Sequence, residues 1–88
     1  MRIIPKTEVD RLLPWPELIA ALEEVFRLGC DAPLRHHHPL PNGPDATGSL
    51  LLMPAWWADR FTGVKIVHVM PANAAAGLPA VQSSYLLS

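Results

Sequence analysis

The hydrophobic period of this chain changes once, at Gly29. Before it, Leu18, Ile19, Leu22, Val25 and Phe26 recur at spacings of one, three and four, which forms one apolar stripe along a helix. Beyond it the apolar residues come in short runs rich in β-branched side chains, divided by Pro, Gly and Asn, the pattern of strands and turns. One helix followed by several strands, without βαβ alternation, predicts an α+β fold in which one amphipathic helix packs on a mostly antiparallel sheet.

The segments follow from local chemistry. Met1 to Ile4 reads as a short first strand stopped by Pro5, and Thr7 as the cap of a brief helical turn over Glu8 to Leu13. Pro16 lies in the first turn of the main helix, where a missing N–H is harmless, and Gly29 ends that helix. "PLRHHHPLP" is extended, since each proline biases its predecessor away from helix, and "NGPDATG" (Asn42 to Gly48) is a turn. "SLLLMPA" reads as a short strand, "WWADRFTG" as a loop and "VKIVHVM" as a strong strand. "PANAAAGLP" reads as a connection and "AVQSSYLL" as the last strand.

Composition bounds the function. A chain of 88 residues buries roughly 60 to 65% of its unfolded surface, yet half of these residues are apolar and only 17% are charged. Apolar surface is therefore expected to be covered by a second copy or by further chain, and the ending "SSYLLS" suggests a piece of a longer protein. The net charge is −1, with scattered Lys and Arg, so no basic footprint for nucleic acid is present. "MRIIPKTEVDRLLPW" interrupts itself with charge or proline too often for a secretion signal or a membrane span. A lone cysteine, Cys30, excludes an internal disulfide and fits a reducing cytoplasm.

Lys65 stands inside "VKIVHVM", where Val64, Ile66, His68 and Met70 point one way and Lys65, Val67 and Val69 the other. Both faces are mostly apolar. Either Lys65 enters a pocket to hold a substrate anion, or its stem is buried and its amine snorkels to water at the sheet rim. Arg35 is the one charged residue between Asp31 and Asp45, and its planar fork suits a carboxylate, although on its own a surface arginine is the simpler reading. His36 and His38 share a face of their extended segment, but no Cys, Asp or Glu in ligand spacing completes a zinc site, so imidazoles lining a pocket or the surface are the simpler reading. Trp56 and Trp57 read as core or interface packing. No catalytic triad, no carboxylate pair and no phosphate-cradling glycine loop can be assembled, because Gly29, Gly43, Gly48, Gly63 and Gly77 are spread out.

A helix ending in "ALEEVF", an isolated Arg in "PLR", then "LLLMPA" and "GVKIVHVMPANAAAGLPAVQSSYLL", in that order, resemble the start of the ornithine cyclodeaminase / μ-crystallin family. The resemblance covers essentially the whole chain, and its most specific parts are the "MPA" turn and the "GVK…PAN…GLPAVQ" block. It implies that residues 1–88 are the N-terminal substrate-binding and dimerisation domain of an NAD- or NADP-dependent enzyme of amino or imino acids, with a Rossmann domain to follow. It further implies that Arg35 and Lys65 clamp the substrate carboxylate, that Met53 lines the same pocket, and that Gln82 lies near the nicotinamide end of the cofactor. In such enzymes a hydride leaves the carbon beside the carboxylate, and two cations on the carboxylate orient that C–H bond. A homodimer is expected, with neither nucleic acid nor membrane as partner. The alternative is a non-catalytic small-molecule-binding or dimerisation module of the μ-crystallin type.

Overall fold

The computed structural model describes residues 2–44 and 47–88, and the chain divides into two compact units, Met1–Cys30 and Asp31–Ser88. The class is α+β, with a four-stranded, wholly antiparallel sheet and short helices.

The first unit holds α1 (Lys6–Leu12) and α2 (Trp15–Leu28). The expected opening strand is not there: residues 2–4 have no regular structure, and Met1 lies outside the described residues. Two isoleucines ahead of a proline offer too few N–H groups for a ladder. Nor does Thr7 cap α1. The helix begins a residue before it, behind Pro5, and no side chain caps that end. Pro5 already has the extended ψ of 166° that an N-cap needs, and the Lys6–Asp10 and Arg11–Glu8 ion pairs brace the exposed turns. In α2 the expected plan holds: Pro16 sits in the first turn, and Gly29 closes the helix at φ 81° while donating its N–H to the Val25 carbonyl. Of the apolar stripe, Leu18 and Val25 are half-buried, and Ile19, Leu22 and Phe26 are exposed.

The second unit is the sheet, β1 (His36–Pro41), β2 (Thr47–Trp57), β3 (Phe61–Val69) and β4 (Val81–Leu87), in the order β1-β2-β3-β4. β2 is longer than expected because Trp56 and Trp57 belong to it and not to a loop. Large aromatics suit a pleated surface, and Trp56 also exchanges backbone hydrogen bonds with Asp31, at 2.8 and 2.9 Å. The turn to β3 is thus only three residues, Ala58 to Arg60, with Asp59 in the left-handed region at φ 62°, which a short polar side chain tolerates. Asp45 and Ala46, inside the expected Asn42–Gly48 turn, lie outside the described residues.

Between β3 and β4 the "PANAAAG" segment is a 3-10 helix, Pro71–Ala76, ended by Gly77 at φ 73°. Two asparagines, Asn73 within it and Asn42 from the turn after β1, account for the motif locally. Asn42 accepts the Ala72 N–H at 2.8 Å, Asn73 Nδ2 donates to the Pro79 carbonyl at 3.2 Å, and Met70 N–H closes the hairpin on the Ala80 carbonyl. At the centre of the sheet Val67 is 7% exposed, the one buried large apolar side chain among the described residues.

Candidate functional site

In each strand alternate residues share a face, and the cross-strand register then assigns every position. One face carries the row Met53, Lys65, Tyr85, since Met53 pairs with Lys65 and Lys65 with Tyr85. His36 pairs with Leu52, so continuing that register by one residue sets Arg35, just ahead of β1, opposite Met53. Arg35, Met53, Lys65 and Tyr85 therefore form one line across four neighbouring chain segments. Adjacent segments are about 4.8 Å apart, which puts the two cations about 10 Å apart at the backbone with Met53 between them. Both side chains are long enough to meet above the thioether.

The floor around this line is apolar on one side and small on the other. Leu51 and Val67 pair beside it, and beyond Met53 and Lys65 come Ala55 and Gly63, also paired. Past them Trp57 faces Phe61, with the Arg60 guanidinium 4.6 Å over the Trp57 ring. That end of the hairpin frames an open hollow of about 310 Å³, lined by Trp56, Trp57, Arg60, Phe61, Thr62 and Ser88 among others.

Lys65 is exposed, contrary to a pocket already closed around it. Strand alternation tells which face a side chain is on, and only a second layer over that face buries it. Arg35 is exposed as well, and Met53 is half-buried. Among the described residues neither cation has an ion-pair partner, so their charges are free to meet an incoming anion.

Gln82 is not brought to this row. It pairs with His68, which pairs with Leu50, and the three lie on the opposite face together with His38, His36 and Ile66. His36 and His38 do share that face, with ring centroids 6.1 Å apart. No third ligand joins them, and no group of three His, Cys, Asp or Glu able to hold a metal occurs among the described residues. The middle histidine, His37, points to the Lys65 side and meets Ser49 Oγ at 2.9 Å.

Tyr85 is the residue that spacing missed. Its ring lies across Gly63: a Cβ built there would stand 2.6 Å from Tyr85 Cζ and 2.7 Å from Cε1. A glycine inside a strong strand, with an aromatic one strand over and two residues on, is the sequence signal for such a ring covering a bare backbone.

No protein-family model matches the chain. It is 44% identical over 90 residues to an uncharacterised protein of Schizosaccharomyces pombe, across 99% of this chain and 27% of that protein. Among solved structures it is similar to an archaeal alanine dehydrogenase dimer with bound NAD, with a TM-score of 0.76 and 29% identity over 94% of this chain. The chain spans about a quarter of the length of each, 27% and 25%. The α+β arrangement of helices and antiparallel sheet is thus that of one domain of the dehydrogenase.

Proposed function

We propose that this chain is the carboxylate-holding domain of an ornithine cyclodeaminase-like, NAD- or NADP-dependent enzyme acting on an amino or imino acid. The observation that carries the reading is the pairing of Met53 with Lys65 on one sheet face, with Arg35 just ahead of β1 where the continued register sets it beside Met53, in a domain similar to one of an alanine dehydrogenase. Two unpaired cations flanking an apolar floor suit a small carboxylate. Arg35 offers a planar fork and Lys65 a point charge, while Met53 and Val67 exclude water beneath the carbon chain.

In this reading the 88 residues hold the substrate and further chain holds most of the dinucleotide. Their five glycines are scattered, and none forms a G-x-G-x-x-G turn between a strand and a helix. The part played here is to hold and orient the substrate. The reading also has the protein work as a homodimer, in keeping with the dimeric neighbour, and in the cytoplasm, in keeping with an exposed, unpaired Cys30. No helix among the described residues is long and apolar enough to cross a membrane.

The test is Lys65→Ala in the full-length protein. A charge-assisted hydrogen bond contributes about 1.5 to 3 kcal/mol, so the KM for the carboxylate substrate should rise about 10- to 100-fold, and Lys65→Arg should recover part of the loss. Unchanged catalytic efficiency in Lys65→Ala would remove the basis of the assignment.

A further inference from the structure

We infer that Tyr85 sets the size of the side chain that the substrate can carry, and that the site takes small amino or imino acids with short side chains. The inference rests on the carboxylate reading of Arg35 and Lys65 and goes one step beyond it.

The sheet surface beside Lys65 has a gap. Ala55 and Gly63 are paired, lie on the Lys65 face, and adjoin the Met53–Lys65 pair. Together they present a single methyl group, less than any neighbouring pair of this face, so the backbone is laid bare in a depression directly beside the lysine. A carboxylate held at Lys65 with its carbon chain turned toward this depression would find room there.

The depression is filled. Tyr85 is the cross-strand partner of Lys65, yet its ring leans diagonally onto Gly63, close enough that Gly63 is buried and that any Cβ would collide with the ring carbons. Only the missing Cβ permits the ring to lie this low. Tyr85 remains 58% exposed, so its outer side is the surface a ligand meets. The ring and its hydroxyl thereby replace a hollow with a shelf over Gly63. On the other side of the row, the larger Leu51 and Val67 already fill the face. A substrate clamped at Lys65 is left with room for a short side chain.

The experiment uses the full-length protein with NAD and a series of amino acids of rising length: alanine, 2-aminobutyrate, norvaline, norleucine and phenylalanine. It reads kcat/KM and, independently, equilibrium binding of the same compounds by quenching of tryptophan fluorescence. The wild type should favour the short members. Tyr85→Ala should shift the norleucine-to-alanine ratio by at least 10-fold toward norleucine in both readouts. Tyr85→Leu, which keeps the site apolar if the alanine variant folds poorly, should shift it in the same direction by less. Tyr85→Phe, which removes only the hydroxyl that lies nearest Gly63 and keeps the ring beside it, should shift the ratio in the same direction by less than Tyr85→Ala. Lys65→Ala should weaken every member alike. A ranking unchanged in both Tyr85→Ala and Tyr85→Leu, with the Lys65→Ala loss present, overturns the role of Tyr85 alone. No binding by the wild type and no effect of Lys65→Ala overturns the carboxylate reading, and this inference with it.

Discussion

Two buried glycines of the sheet look alike in the sequence and differ in what surrounds them. A Cβ on Gly63 meets the far end of a side chain, the ring of Tyr85, which can rotate away. A Cβ on Gly48 meets Met70 Sδ at 2.6 Å and, at 2.7 Å, the backbone carbonyl of Val69, which cannot move without distorting β3. Gly48→Ala should therefore cost about 1 to 3 kcal/mol, the usual penalty of forced overpacking, whereas Gly63→Ala should cost less and act mainly on Tyr85. Urea unfolding of the two variants checks this, and equal losses would contradict it. The Lys65 side shows where residue-scale reading stops. Alternation within β3 was legible, but that Met53 stands opposite Lys65 comes from the cross-strand register. Exposure was not legible either, because it depends on a second layer that no single strand encodes. Gln82 was assigned by resemblance, and two-residue periodicity sends it to the far face from Lys65. Gln82→Ala should accordingly leave carboxylate affinity within about 2-fold of wild type, as expected for a surface change worth under about 0.5 kcal/mol. A larger loss would mean that the carboxylate is not held on the Lys65 face.

At the scale of elements, strong periodic signals carried over and weak local ones did not. α2, β3 and β4 were legible from apolar spacing and their flanking Pro and Gly. The Trp56–Trp57 pair was not, since tandem aromatics beside "ADR" resemble a turn until the pairing with Phe61 and the bridge to Asp31 supply hydrogen-bond partners. Thr7 misleads in the opposite way. A threonine before an acidic residue is a common cap, yet here a helical position lies ahead of it and Pro5 holds the N-cap backbone. Thr7→Ala should thus change stability by no more than about 0.5 kcal/mol, where loss of a real cap would cost about 1 kcal/mol. The midpoint of thermal unfolding would tell the two apart.

For the molecule as a whole, the two edges of the sheet are built differently. β1 carries Pro39 and Pro41, which lack N–H groups and discourage a further strand. β4 has no proline and no charge, and every one of its residues is exposed, with Val81 at 60%, Tyr85 at 58% and Leu87 at 66%. An apolar, unguarded edge is the kind that recruits another strand, whether from a second copy or from further chain. Few apolar side chains are buried among the described residues, so added pairing would also supply stability that this small unit lacks. The 88-residue chain on its own should therefore associate through β4. In sedimentation velocity its average mass should rise with concentration, and Leu86→Lys, which places a charge on that edge, should raise the monomer fraction severalfold. Leu34→Lys is the control, because Leu34 is 91% exposed and lies outside every strand. Equal effects of the two lysines would mean that general solubility and not the edge governs association, and a chain monomeric at all concentrations would mean that β4 is not a pairing edge.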